Sequence, residues 1–362
     1  MSARSLVVSV PGRICLFGEH QDYLGLPVIA AAIDRRIWIS GQRRGDELLD
    51  IDLPDIGGHE RFSLAGPVPY EKQRDYLRSG LNVLLRKGLR LEKGYSCRVH
   101  GTIPINSGTS SSSALVVAWV LFLLAAAQDE RAGDLMFVAR CAHEAEVLEF
   151  GEPGGMMDHV TASFGGVLYI EFVPDLLVES LPAQLGAFVL GDSRQPKDTT
   201  GLLARVRGGS VAAMQVLQRA EPGLSYHVLS VEDIRRHASR LTAEQKELLL
   251  ARVGVRDLTQ KARFLLRQAH PEDKRLGELL TAHHRQLGQG LRISTPKIER
   301  MIAAALGAGA LGAKINGSGG GGCMFAYAPD CPQEVAQAIA AADGTALVIN
   351  VDQGARLEQL ML

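Results

Sequence analysis

The sequence predicts an α+β fold in two halves, and three observations predict it. Short β-branched runs fill roughly the first forty residues, and long amphipathic stretches dominate from about Thr199 to Gly307. The chain then closes on a glycine-rich segment, a helical stretch and the strand-like "ALVINV". At 362 residues it exceeds the size at which one core keeps growing. Two domains are expected, residues 1–178 and 179–362.

The elements follow in order. "SLVVSV" and "RICLFG" read as strands flanking a Pro-Gly turn, and "LPVIAAAI" and "RIWISG" as two more. From Pro69 to Lys87 the spacing turns helical, with Leu77, Leu81, Leu84 and Leu85 on one side. "GYSCRVHGTIP" is a strand that runs into "INSGTSSSSA", and the apolar run Ala114 to Ala127 follows directly. That run is 14 residues, which suits a buried helix and is too short for a membrane span. A helix is expected from Leu135 to Glu149, then a Gly/Pro/Met loop and the strands "GGVLYIEF" and "AFVLGDS". The last helix is expected near Gln333 to Ala342, and no internal repeat is present.

Composition excludes several function classes. Hydrophobic residues make up 46% and charged residues 22%, an ordinary globular mix. Net charge is −1 and no Lys/Arg-rich run is present, so nucleic acid is not an expected partner. Five cysteines without a CxxC pair (Cys15, Cys97, Cys141, Cys323, Cys331) point to free thiols in a reducing cytoplasm. The apolar run Leu6 to Val10 is too brief for a signal-peptide core. Oligomeric state leaves no mark in the sequence.

Four segments carry chemistry. "PGRICLFGEHQDYLG" places Arg13, Glu19, His20 and Asp22 between apolar neighbours, more charge than a turn usually holds. "PINSGTSSSSA" sets small hydroxyl residues between a strand and a helix, whose first N–H groups lack partners and suit an anion. A plain serine cap is the alternative. No Gly-Lys-Ser or Gly-Lys-Thr occurs, so this is not a Walker A loop. In "NGSGGGGC" five glycines within six residues serve either a tight turn or the approach of a ligand. They precede a strand instead of opening a helix, which counts against a dinucleotide fold. In "CAHEAEVLEFGEPGGMMDH", Glu144 and Glu149 read as solvated, whereas Asp158 follows a glycine-rich turn and two methionines, where a charge should cap something or do chemistry.

Taken together, these segments resemble the motifs of the GHMP kinases, in the same order: "PGRICLFGEHQDY" the first, "PINSGTSSSSA" the second, "KINGSGGGGC" the third. The matching stretches, about residues 8–34, 101–120, 139–172 and 280–328, cover a little over a third of the chain. Asn106 and Ser107 stand where the second motif usually has glycine. The resemblance implies a two-domain fold with ATP and Mg²⁺ bound in the cleft between domains. It places Mg²⁺ on Ser112 and Glu146, and ATP on Ser107, Gly108, Thr109, Ser110, Ser111, Ser113 and the glycines Gly317, Gly319 and Gly320. Asp158 would accept the acceptor hydroxyl's proton beside the cationic Arg13. Glu19, His20, Asp22 and Gly155 would bind the substrate.

Within the family, "GEHQDY" with Arg13 is similar to galactokinases, while "LGAKINGSGGGGC" and "DSRQPKDTTGLLARV" are similar to mevalonate kinases. An aspartate at position 22 repels a carboxylate substrate and favours a neutral sugar. The expected activity is phosphorylation of a free sugar's anomeric hydroxyl, with galactose the leading substrate. Mevalonate kinase and a non-catalytic ATP- or sugar-binding sensor are the alternatives.

Overall fold

The computed structural model describes residues 5–104, 108–152, 154–196 and 199–358. Its first sheet has eight strands. Six of them, β1 (Ser5–Phe17), β2 (Val28–Arg43), β3 (Leu48–Leu53), β4 (Gly58–Ser63), β5 (Tyr95–Gly101) and β6 (Val167–Glu171), come from the first half of the chain. The other two are β7 (Leu177–Leu181) and the late β12 (Arg356–Glu358). The second sheet is antiparallel and built from β8 (Phe188–Asp192), β9 (Gly312–Ile315), β10 (Cys323–Tyr327) and β11 (Thr345–Ile349), in the order β11-β8-β10-β9.

β1 and β2 position the site. The Pro11-Gly12 step, expected as a turn, lies inside the continuous β1 as an irregularity in register. Glycine is required there because a Cβ would stand 2.8 Å from the Thr109 carbonyl, where the serine loop crosses the strand. The two runs after it likewise form one strand, whose first part pairs with β6 and whose last part pairs with β5. Both faces of this ribbon are buried. Cys15, Val28 and Ala30 meet the helix Met157–Phe164, while Ile14, Leu16, Ile29 and Ala31 meet Phe188, Phe325 and the helices Ala243–Leu266 and Asp273–Arg285. Burial on two sides explains why "RICLFG" and "VIAAAI" show no polar alternation.

The helix Ser111–Ala126 is apolar all round and buried along most of its length, packed against β1, β2 and the helix Tyr76–Arg86. It starts earlier than the apolar run, because serines form its first turn. The helix expected over Leu135 to Glu149 is regular only over Leu135–His143 and continues as a π-turn, Glu144–Leu148. The expected boundary at 178/179 falls inside β7, which pairs with β6, and β12 crosses back to pair with β1. No helix among the described residues is long and apolar enough to cross a membrane. All five cysteines are free thiols, four of them buried.

Candidate active site

A cavity of about 950 Å³ gathers the first motif, the serine loop, the π-turn, the start of Met157–Phe164 and the glycine loop. At its centre Arg13 donates from Nε and Nη2 to the two oxygens of Asp158, each at 2.7 Å. Its Nη1 donates to the Gly108 carbonyl at 2.5 Å, which ties the pair to the serine loop. Ser110 Oγ donates to Asp158 Oδ2 at 2.6 Å. Burial pushes the Asp158 carboxyl up, but the Arg13 charge and these hydrogen bonds outweigh it and hold the group below the usual carboxylate range.

Asp22 lines the same wall, takes backbone N–H groups at Tyr23 and at Asp22 itself, and makes no ion pair among the described residues. Burial first, and the Asp158 charge as a lesser cause, leave its carboxyl above the usual range. Gly155 fits closely here, since a Cβ on it would collide with an Asp22 carboxylate oxygen. Gly155 is therefore spacing for Asp22, whatever else it touches.

Two first-motif residues line the cavity with much of their polar capacity already engaged inside the protein. Glu19 is 2% exposed, and one of its oxygens takes the Lys314 ammonium, which also donates to the Cys15 carbonyl at 2.9 Å. Its Oε2 has no hydrogen-bond partner and lies 3.6 Å from His283 Nδ1. Burial pushes Glu19 up more than Lys314 pulls it back. His283 Nε2 accepts from the Gly18 N–H at 3.1 Å, so the ring's proton belongs on Nδ1, toward Glu19. Glu19 thus spends most of its charge inside the protein. His20 is engaged at both nitrogens. Nε2 donates to the Ser318 carbonyl and Nδ1 accepts from Tyr23 Oη, each at 3.0 Å. Burial and the nearby Arg252 lower its pKa to about 3, so the ring is neutral and latches the first motif to the glycine loop. Arg252 supports this latch from the helix Ala243–Leu266. It donates to Tyr23 Oη at 3.1 Å and to the His20 carbonyl.

The serine loop presents a helix N-terminus to the cavity. Ser110 sits at the cap position with φ 58° and makes no capping hydrogen bond, because its hydroxyl goes to Asp158. The first N–H groups of Ser111–Ala126 therefore have no side-chain cap. Ser110, Ser111, Ser112 and Ser113 line the cavity with Gly108, whereas Thr109 is buried behind the loop and its carbonyl accepts from Arg13 N–H at 3.1 Å. Ser107 lies outside the described residues, as does Asn106.

Glu146 faces Ser112 and Ser113 from the π-turn, which rotates it inward while Glu144 and Glu149 pair outward with Arg86. Burial raises its pKa, but His159 Nε2 at 2.7 Å and the two serine hydroxyls outweigh that and keep it ionised.

The glycine loop divides by role. Gly317 and Ser318 line the cavity. Gly319 and Gly320 have φ 76° and 71° and fold the loop against Ile293, whose carbonyl accepts from Gly320 N–H at 2.8 Å. Their placement meets a packing requirement, and neither is among the residues that line the cavity with Gly317. Asn316, which sequence reasoning missed, joins three motifs: its Oδ1 accepts from Cys15 N–H and its Nδ2 donates to the Gly108 carbonyl, both at 2.9 Å. Lys314, Arg252 and His159 were missed as well.

Comparison with known proteins agrees with this assembly. The model for the GHMP kinase N-terminal domain matches residues 75–166, that for the C-terminal domain residues 266–344, and the galactokinase galactose-binding signature residues 2–43. A mevalonate kinase of Thermococcus sibiricus is 30% identical over 371 residues, covering 98% of this chain and 99% of that protein. The chain belongs to the GHMP kinase family. Galactokinase of Actinobacillus succinogenes is 27% identical over 344 residues, covering 90% of this chain and 86% of its own length. Among solved structures, Lactococcus lactis galactokinase complexed with galactose superposes with a TM-score of 0.82 at 22% identity, covering 97% of this chain and 95% of that one. Methanococcus jannaschii mevalonate kinase gives 0.75 at 18%, covering 96% and 98%. As a GHMP kinase the protein uses ATP to phosphorylate a small molecule.

Proposed function

We propose that this GHMP kinase phosphorylates a neutral polyhydroxy acceptor, the anomeric hydroxyl of a free monosaccharide, with galactose first among the candidates. The observation that carries this reading is Asp22, a carboxylate with no ion pair among the described residues, in a cavity where Arg13 is already bidentate to Asp158 and Arg74 to Glu152. Such a wall accepts hydrogen bonds from hydroxyl groups and repels a carboxylate. The match to the galactose-binding signature supports it. Mevalonate is the second reading, favoured by the identity to the Thermococcus protein.

In this reading the acceptor hydroxyl sits between Asp22 and Asp158. Held low by Arg13, Asp158 is a weak base, suited to orienting the hydroxyl and taking its proton late, as charge develops on the transferring group. Arg13 offsets that charge. The uncapped N–H groups at Ser111 and Ser112 hold phosphate oxygens. Glu146, ionised and facing the exposed Ser112 hydroxyl, fits Mg²⁺, which takes few protein ligands, all oxygen. When bound, Mg²⁺ neutralises phosphate charge.

A panel of free aldoses, hexuronic acids and mevalonate, read by ADP release, tests the reading. Turnover of mevalonate with none on any sugar would overturn it. Two variants probe the parts. Ser112→Ala and Glu146→Gln should each raise the Mg²⁺ concentration needed for half-maximal rate, and an unchanged requirement in both would remove the pair from the metal site. Gly155→Ala should displace Asp22 and lower kcat/KM for the acceptor by about 10-fold or more, the scale of a misplacement near 1 Å. Nucleotide affinity should stay unchanged, and calorimetry checks it.

A further inference from the structure

His159 follows Asp158 on the same helical turn, and the two side chains diverge. Asp158 meets Arg13, while His159 crosses to the π-turn and donates from Nε2 to Glu146 Oε2 at 2.7 Å. The ring is 1% exposed, and its Nδ1 is a buried atom with no hydrogen-bond partner. His143 packs edge-on against it at 5.3 Å between ring centres. One ring nitrogen is therefore left without a hydrogen bond while the other is spent wholly on Glu146, on the cavity wall. A histidine kept only for packing would more readily be an aliphatic residue.

We infer that His159 is a positioning residue. It holds one carboxylate oxygen of Glu146, fixing the rotamer in which the carboxylate faces Ser112, and so sets the affinity for the magnesium–nucleotide complex. The inference rests on the placement of Mg²⁺ at Ser112 and Glu146 proposed above. The helix also gains a division of labour. Adjacent residues serve opposite ends of the transferring group, Asp158 toward the acceptor and His159 toward the nucleotide.

Calorimetry on the full chain with a non-hydrolysable ATP analogue, titrated with and without Mg²⁺, tests this. His159→Leu removes the donor at similar volume, and His159→Gln returns an N–H at about the reach of Nε2. The leucine variant should bind the magnesium complex about 10- to 100-fold more weakly, the usual cost of losing a carboxylate's outer partner. Binding of the metal-free analogue should not change, and the glutamine variant should recover most of the loss. A purely structural role would instead weaken both forms of the analogue, or be repaired equally by leucine. Equal magnesium-dependent affinity in wild type and leucine variant overturns the assignment of His159. A wild type whose analogue binding ignores Mg²⁺ fails the metal placement itself, and His159 with it. If the leucine variant does not fold, the glutamine variant compared with His159→Asn, whose shorter amide cannot reach Glu146, decides the same question.

Discussion

Asp158→Asn should cut kcat by at least ~10²-fold, the scale of a positioned acid–base group, while acceptor and nucleotide still bind. The amide keeps the shape of the carboxylate and one acceptor oxygen, and with that oxygen in the Oδ2 position Ser110 and the Nη2 arm of Arg13 retain a partner. It loses the charge that Arg13, only 5% exposed, was built around. Stability should therefore drop too, because a buried cation has lost its counter-charge. Thermal melting separates that loss from the catalytic one, and both are to be measured on the same preparation. Near-normal kcat would remove Asp158 from the mechanism.

Asp22→Ala distinguishes the two acceptors by sign. With a neutral sugar, the variant leaves hydroxyl donors unpaired in a buried site, a loss of roughly 1.5–3 kcal/mol, so kcat/KM should fall by about 10- to 150-fold. With mevalonate the same change removes a like charge, and kcat/KM should hold or rise. The expected result is the fall. It should appear with galactose in steady-state kinetics, and a rise with mevalonate would transfer the assignment to the second reading.

How much of this was legible in the sequence depends on whether a residue acts through its neighbours in the chain or across space. Each motif is a contiguous stretch, so the α+β pattern and the serine-rich loop ahead of an apolar helix could be read locally, whereas the gathering of Arg13, Asp22, Ser112, Glu146 and Asp158 around one cavity was implied only by the resemblance. Glu19 shows the limit. Its identity marks the motif, but its direction is set by Lys314, 295 residues away, which carries no signal of its own. The resemblance gives His20 a substrate role but says nothing of what its ring nitrogens already touch. Here Ser318 and Tyr23 take both. The glycine run left a tight turn and a ligand's approach both open, and which glycines face the cavity depends on Ile293, a residue outside the quoted motifs. The Pro-Gly step was misread as a turn because a strand irregularity and a turn use the same two residues.

The return of β12 to β1 bears on how the molecule is made. Arg36 is 3% exposed and donates to Asp352 Oδ2 at 2.7 Å, the Gln353 carbonyl at 2.9 Å and the Gly354 carbonyl at 2.7 Å. Every one of those acceptors is synthesised more than three hundred residues later. A nascent chain emerging from the ribosome therefore carries its first sheet with one edge open, and Arg36 held by Ser9 but without its Asp352 counter-charge, until residues 352–358 have emerged. Folding unit by unit from the amino end, the habit of many larger proteins, would have to begin without these late contacts. Arg13 lies on β1 itself and Asp22 in the turn that follows, so the strand that carries this wall of the pocket gains its outer neighbour only once β12 has emerged.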